Sequence, residues 1–263
     1  MKLFFSQAAT SFLILIVLLT TNCYGDDMNI TVTFNNVPYD KDLETGWGFS
    51  AYIEGFEKNI LFDTGDNGEI LLSNMEKLGI DVKKIDIIVL SHIHADHTGG
   101  LMSVLEKNPD CTIYMPAAFP DDFKDQVSQN CKKAVFVDKA TKICENVWSG
   151  GQLGTDIKEQ ALIIESKNGL VVITGCAHPG IVNVVRDAVK ILNKDVFLII
   201  GGFHFKATPN FAVQLNINNL KKIGVKKVAP SHCTGEKATE LFKKAWGDGF
   251  VDLGCGASIR IEK

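Results

Sequence analysis

The chain has 263 residues, of which 46% are hydrophobic and 22% charged. A chain of this length can bury a substantial core, and its composition excludes a disordered, collagen-like or multi-span membrane protein. The formal charge is −4, from 27 basic and 31 acidic residues. A general nucleic-acid-binding protein would normally carry a basic surface, so we expect no nucleic-acid partner.

The N-terminal segment has the features of a secretory signal peptide. Lys2 is followed by an apolar run over residues 12–19 and then by polar and small residues. A basic start, a core of about 7–15 apolar residues and a small residue at the exit are typical of such signals. We predict a signal peptide over residues 1–25 and a mature domain over residues 26–263, exported to the periplasm or secreted and associated with the membrane only through this signal. Lipidation at Cys23 and an uncleaved anchor remain alternative interpretations.

Hydrophobic periodicity and turn signals predict alternating strands and helices along the mature chain. In chain order the predicted elements are strands 29–34, 48–54 and 59–62, helix 70–78, strand 85–90, helix 101–107, strands 161–165 and 170–174, helix 181–192, strand 196–200, helix 213–223, strand 226–229, helix 238–246 and a closing strand 257–261. The dipeptide Asn168-Gly169 predicts a hairpin. Residues 116–154 are the least regular, and we interpret them as an insertion near a site. The pattern predicts a layered α/β domain with mixed sheets.

Export would place the mature cysteines in an oxidising compartment, where disulfides form. Cys111 and Cys131 form the pair that we would test for a disulfide, because both flank the same predicted helix. Their spacing alone does not establish the bond.

The densest group of potential metal ligands follows directly after the apolar strand 85–90. It consists of His92, His94, Asp96 and His97. Imidazole and carboxylate groups suit zinc, and also iron or manganese. In a turn, His92 and His94 can face one ion while Asp96 and His97 face a second. A solvated polar loop is the alternative, but so many imidazoles are costly to desolvate unless they bind something.

This cluster resembles the His-x-His-x-Asp-His signature of the metallo-β-lactamase superfamily. The resemblance implies an αββα four-layer sandwich with two mixed β-sheets and a metal centre, usually dinuclear, along one edge. Asp63, in Leu-Phe-Asp-Thr-Gly, is similar to the family's first motif, an aspartate that supports the ligand loop without binding metal. His232, in Ser-His-Cys-Thr-Gly, is similar to the last motif, a histidine that binds the second metal.

The middle of the chain departs from the common pattern of that family. Many members place a histidine ahead of a strand-end aspartate that bridges both metals, whereas this chain has no histidine between His97 and His178. Cys176 stands where the bridging aspartate is expected, and we interpret His178 as the substitute ligand. Cys176 is a thiolate ligand, a reactive thiol or a small buried residue beside the site. We favour the last, and Glu159 is the next carboxylate to test if His178 does not bind metal.

All six histidines lie at or just beyond predicted strand ends, where the loops of a layered α/β fold bind ligands. The sixth, His204, follows strand 196–200 in Gly-Gly-Phe-His-Phe. We assign it a substrate-facing or proton-transferring role, with a purely structural role as the alternative.

Taken together, the motifs are similar to those of a branch that includes dihydropterin–ribofuranosylaminobenzene phosphate synthase and many metal-dependent hydrolases. This resemblance implies an enzyme with a small-molecule substrate and one or two zinc ions, or manganese or iron. Because pterin intermediates are cytoplasmic, export favours a hydrolase in which the metal lowers the pKa of bound water. Asp96 would orient the nucleophile and His204 would protonate the leaving group. A dihydropterin transferase is the alternative function, and a non-catalytic metal-binding module is the third.

Overall fold

The computed structural model describes residues 27–263, so the predicted signal peptide over residues 1–25 lies outside the described residues. Within residues 27–263, no helix combines the length and the apolar character needed to cross a membrane.

Thirteen strands of the described chain form two sheets. In chain order they are β1 (Asp27–Asn35), β2 (Phe49–Glu54), β3 (Ile60–Phe62), β4 (Ile87–Val89), β5 (Thr112–Pro116), β6 (Lys133–Val137), β7 (Lys139–Cys144), β8 (Val147–Gly151), β9 (Leu162–Ser166), β10 (Gly169–Thr174), β11 (Val196–Gly202), β12 (Lys227–Ser231) and β13 (Ser258–Glu262). The α-helices are α1 (Gly68–Lys77), α2 (Ala95–Thr98), α3 (Leu101–Lys107), α4 (Asp121–Asn130), α5 (Ile181–Leu192), α6 (Asn210–Ile223) and α7 (Glu236–Trp246).

Both sheets are mixed, as the sequence predicts. The first has seven strands in the order β13-β1-β2-β3-β4-β5-β6, and the second has six in the order β12-β11-β10-β9-β8-β7. Pairing is parallel from β3 to β6 and from β10 to β12. The predicted hairpin at Asn168-Gly169 joins β9 and β10 as an antiparallel pair.

Three hydrophobic clusters define the layers of the molecule. Side chains on opposite faces of β4 enter different clusters, with Ile87 and Val89 between the two sheets and Ile88 against α1 and α3. Along β10, Val171 likewise faces the inter-sheet cluster while Val172 packs towards α5. Because successive side chains of a strand alternate in direction, these continuous apolar strands are covered on both faces. The arrangement is the predicted αββα sandwich.

Residues 116–154 are not an insertion, and this prediction is wrong. The segment contains α4 and the strands β6, β7 and β8, and it carries the chain from the edge of the first sheet to the edge of the second. The exposed positions of β7 are occupied by Lys139, Ala140 and Lys142, so an edge strand of this kind carries little hydrophobic signal. The sequence interpretation also omitted β5.

The proposed disulfide between Cys111 and Cys131 is absent from the structure. All six cysteines of the described residues are free thiols. Cys111 is buried and its thiol donates to the carbonyl oxygen of Asn108 at 3.3 Å, whereas Cys131 lies beyond the end of α4.

The parallel strands determine where the polar loops meet. His92, His94 and His97 follow β4, and each remaining histidine follows the end of β10, β11 or β12. The carboxyl ends of these strands therefore bring residues from both sheets to one edge of the sandwich.

Candidate metal centre

Asp63, just after β3, anchors the loop that carries three of the histidines. Its carboxylate is fully buried and accepts hydrogen bonds from the Ser91 amide at 2.6 Å, the Ser91 hydroxyl at 2.7 Å and His97 Nδ1 at 2.7 Å. Asp63 therefore holds the loop through Ser91 and His97.

Hydrogen bonds at Nδ1 hold three of the imidazoles with Nε2 facing the site. Ser91 Oγ donates to Asp63, so it accepts from His92 Nδ1 at 2.9 Å. His97 Nδ1 donates to Asp63, and His232 Nδ1 donates to Asn36 Oδ1 at 2.6 Å. A histidine whose Nδ1 donates in this way presents the lone pair of Nε2 to a metal ion.

The first group of donors consists of His92, His94 and His178, whose nitrogens lie within 4.8 Å of one another. His92 Nε2 and His94 Nδ1 are 3.2 Å apart, close to the roughly 3.3 Å between two nitrogens bound to one tetrahedral zinc. Burial, together with His97 and His178, holds the pKa of His92 well below its usual range. Burial, together with His204 and His94, lowers the pKa of His178 to about 4. Both are therefore neutral near pH 7, as ligands must be.

The second group consists of Asp96, His97, His232 and Cys176. Asp96 Oδ2 lies 3.3 Å from His232 Nε2 and 3.7 Å from His97 Nε2, and Cys176 Sγ lies 3.3 Å from His97 Nε2. Burial opposes the charge of Asp96, but His232 and His97 outweigh it and bring its pKa to about 2. Burial likewise opposes protonation of His97, yet the Asp63 carboxylate raises its pKa.

Glu159 and Gln160 brace both ligand loops, a role that the sequence analysis did not identify. Glu159 is buried, and its carboxylate accepts the amide hydrogens of Cys176, Ala177 and His178 at 2.8–2.9 Å. The backbone N–H of Gln160 donates to the carbonyl oxygen of Ser91 at 2.9 Å. Both carboxylate oxygens of Glu159 are engaged by these backbone amides, so this side chain holds the loop that carries His178.

Backbone strain is concentrated at this edge of the sandwich. Four residues of the site have a positive φ although they are not glycine: Asp63, Ala177, His204 and His232, at 55°, 58°, 58° and 51°. Such conformations each cost of the order of 1–3 kcal/mol and cluster at functional sites. Gly175 allows the close approach of the two sheets here, because a Cβ at that position would lie 2.1 Å from Ser91 Oγ.

His204 and Cys233 extend the site beyond the two groups. The ring of His204 is exposed and its centroid lies 4.4 Å from that of His178. A hydrogen bond with Cys233 raises the pKa of His204. The thiols of Cys176 and Cys233 also interact. Their hydrogen bond lowers the pKa of Cys233 and raises the pKa of Cys176. The sequence analysis did not single out Cys233, although it directly follows His232.

Two clefts open on either side of the ligand groups. A cavity of about 700 Å³ is lined by His232, Trp47, Tyr39 and Lys206, among others, and the rings of Trp47 and His232 are 4.9 Å apart. A second cavity of about 590 Å³ is lined by His178 and residues of the segment 153–157. Both volumes are in the range of small-molecule sites.

Comparisons with known proteins agree with this geometry. The family model described as the metallo-beta-lactamase superfamily matches residues 48–189. The chain is 31% identical to a 7,8-dihydropterin-6-methyl-4-(beta-D-ribofuranosyl)-aminobenzene-5'-phosphate synthase from Methanocaldococcus jannaschii, over 85% of this chain and 92% of that protein. It is also similar to a solved metal-dependent hydrolase of the beta-lactamase superfamily, with a TM-score of 0.76, 25% identity, and coverage of 90% of this chain and 100% of that one. A metallo-beta-lactamase fold protein from Bacillus subtilis shares the fold, with a TM-score of 0.65, 16% identity, and coverage of 89% and 100%.

Proposed function

The chain belongs to the metallo-β-lactamase superfamily, and from that membership we propose that it is a metal-dependent hydrolase of a small-molecule substrate. Its metal ions would lie at the shared edge of the two sheets. The two groups of donors described above would each hold one ion.

The observation that carries this proposal is a pair of buried nitrogens. Among residues 27–263, His178 Nε2 and His232 Nε2 are the buried side-chain nitrogen and oxygen atoms without a hydrogen-bond partner. A buried polar atom left unpaired costs about 1–3 kcal/mol, and these two belong to different donor groups. A metal ion in each group would satisfy both nitrogens. The donor set fits zinc, with manganese or iron as alternatives.

The residues of the site have separate roles in this proposal. His92, His94 and His178 hold the first ion, and Asp96, His97 and His232 hold the second. When bound, the ions supply Lewis acidity and make a water molecule nucleophilic near neutral pH. Asp96 remains charged far below pH 7, so its carboxylate can orient that water. The exposed imidazole of His204 protonates the leaving group.

Mutation of the first donor group tests the ligand assignment. The His92→Ala/His94→Ala double variant should lose the first ion while keeping most of its fold, because the core lies in the sheets. His178→Ala should lower metal content about as strongly as His94→Ala, since each removes one ligand of the same ion. Elemental analysis measures the metal and circular dichroism the fold. Stoichiometric metal in the double variant would contradict the assignment.

His204→Ala serves as the matched histidine control. It should retain the ions of the two groups and lose turnover by about 10²–10⁴-fold, the usual contribution of a general acid. Turnover is measured on a panel of esters, lactones, lactams and phosphodiesters. Tight metal binding without turnover on any substrate would favour a non-catalytic metal-binding module.

A dihydropterin transferase is the second candidate. It is favoured by the 31% identity to the synthase over most of both chains and by the two clefts that flank the donor groups, which could take two substrates. Incubation with dihydropterin pyrophosphate and an aminobenzene acceptor tests it. Product formation there, with no turnover on the hydrolase panel, would replace the hydrolase proposal.

Export through residues 1–25 also remains part of the proposal, supported by the sequence pattern alone. N-terminal sequencing of protein recovered from the cell envelope or medium should begin near Asp26. Intact Met1 on cytoplasmic protein would contradict export. The cytoplasmic location of pterin intermediates would then no longer argue against the transferase.

A further inference from the structure

A third group of potential metal ligands, made of two cysteines and one histidine, lies at the ends of three neighbouring parallel strands. Cys176 follows β10, His204 follows β11 and Cys233 follows β12. Their sulfur and nitrogen atoms all lie within 4.8 Å of one another. The two cysteines are 3% and 6% exposed, whereas the imidazole reaches solvent. Only Cys176 is shared with the donor groups already described.

The thiols of Cys176 and Cys233 lie close together because β11, the strand between β10 and β12, ends in a glycine. β11 separates β10 from β12, and Gly202 is its last residue. A Cβ on Gly202 would lie 2.6 Å from Cys233 Sγ and 2.4 Å from the Gly175 carbonyl oxygen. His204, two residues further on, adopts its strained φ of 58° at the same place. The chain is thus arranged to bring two sulfurs and one imidazole together.

The other buried cysteines lack this arrangement. The Cys144 thiol contacts the carbonyl oxygen of Glu145, and the Cys255 thiol lies against the carbonyl oxygens of Thr33 and Glu44. The Cys111 thiol donates to the carbonyl oxygen of Asn108. None of these three cysteines belongs to a donor cluster of the described residues. They behave as small apolar residues of the core.

We propose that Cys176, His204 and Cys233 form a further metal position that selects a thiophilic divalent ion such as Zn²⁺ or Cd²⁺. With Zn–S bonds of about 2.3 Å and Zn–N bonds of about 2.0 Å, the ligand atoms of a tetrahedral site lie roughly 3.5–3.8 Å apart. The three ligand atoms all lie within 4.8 Å of one another, and binding would draw them closer together. Binding releases the two thiol protons to solvent. Cys176 belongs both to this cluster and to the Asp96 group.

Cadmium loading of the full-length protein tests the proposal. Metal-free wild-type protein and its variants are titrated with Cd²⁺ under reducing conditions. Bound metal is counted by elemental analysis, and the ultraviolet charge-transfer band of the thiolate–cadmium bond is recorded. We expect the wild type to show the band intensity of two thiolates. Cys233→Ala should bind one ion fewer and lose at least half of the band, and His204→Ala should bind that ion more weakly. Cys144→Ala, a buried cysteine remote from the cluster, should match the wild type.

The cadmium content and the thiolate band together distinguish a failure of this proposal from a failure of the proposed function. The His92→Ala/His94→Ala variant should lose one ion and keep the whole thiolate band, so a failed first donor group leaves the new position intact. Equal cadmium content in Cys233→Ala and the wild type, or a band of at most one thiolate in the wild type, would overturn the proposal. A Cys176–Cys233 disulfide that persists under reductant, detected as two missing thiols in the unfolded protein, would overturn it as well. If Cys233→Ala does not fold, Cys233→Ser takes its place.

Discussion

The carboxylate of Asp63 holds the loop that carries His92, His94 and His97. It accepts three hydrogen bonds from the histidine loop, and it is surrounded by protein on all sides. Removing one partner of a buried charged pair leaves the other uncompensated. The charge of Asp63 thus orients His97 directly and His92 through Ser91.

Asp63→Asn should destabilise the protein by about 3 kcal/mol, the lower end for breaking a buried pair. Asparagine tolerates the positive φ of this position, so the variant removes the charge without adding backbone strain. Urea unfolding of the metal-free protein measures the loss. Asp121→Asn is the control, because that side chain is 93% exposed in its ion pair with Lys124 and exposed pairs of this kind contribute little to stability. Equal stability of the two variants would contradict the role of Asp63.

At the scale of secondary structure, the segment that enters β9 acts as a brace between the sheets. Glu159 holds the loop after β10 by three backbone hydrogen bonds, and the neighbouring Gln160 donates to the backbone at Ser91 and Leu90. The loops that follow β4 and β10 belong to different sheets, and this segment is hydrogen-bonded to both.

Glu159→Gln should reduce affinity for the first ion although Glu159 is not a ligand. The amide retains one acceptor oxygen but places an NH₂ group against backbone N–H donors, at a cost of about 2 kcal/mol. The position of His178 then becomes less defined. Isothermal titration with Zn²⁺ should show weaker binding, whereas Glu262→Gln, a 58% exposed partner of Lys167, should bind normally. Unchanged zinc affinity in Glu159→Gln would show that the loop holds its shape without the brace.

The end of β11 tolerates no side chain. Gly202→Ala should destabilise the protein by about 2 kcal/mol, within the usual cost of overpacking, because the new methyl group meets the Gly175 carbonyl oxygen and Cys233. Gly150→Ala in β8 is the matched control, since its nearest contact would be an ordinary 3.5 Å to Ile163. Thermal unfolding should distinguish the two variants, and similar melting temperatures would refute the crowding at Gly202.

For the molecule as a whole, the proposed ions would cross-link the two sheets. His92 and His94 follow a strand of the first sheet and His178 a strand of the second. The second group is divided in the same way, with Asp96 and His97 from one sheet and His232 from the other. Metal that binds only the folded protein stabilises it by mass action, by about 2.7 kcal/mol at a free concentration one hundred times Kd.

Removal of metal by a chelator should therefore lower the melting temperature by about 5–10 °C for each ion lost, since 1 kcal/mol corresponds to roughly 2–4 °C in a domain of this size. Calorimetry of the loaded and stripped protein measures the shift. The His92→Ala/His94→Ala variant should show a smaller shift than the wild type. A wild-type shift no larger than that of the variant would argue against a metal cross-link by the first group.

The elements with strong apolar periodicity, such as β4, β10 and α5, are predictable from the sequence because their hydrophobic pattern is local. The sequence also predicted that the histidines would meet at one edge, since parallel strands carry their following loops to the same side. The motifs around Asp63, His92 and His232 predicted the family and its four-layer fold, which the comparisons confirm.

Other features were decided only by tertiary structure. β7 is an edge strand with exposed lysines that carry little hydrophobic signal, and it joins the second sheet through a hairpin with β8. Glu159 lies 17–19 residues from the amides that it binds, so its role depends on how two sheets stack. The meeting of Cys176 and Cys233 depends on Gly202 in the strand between them. The contacts of Glu159 and of the two cysteines join residues distant in sequence, and such contacts exist only after the sheets have packed.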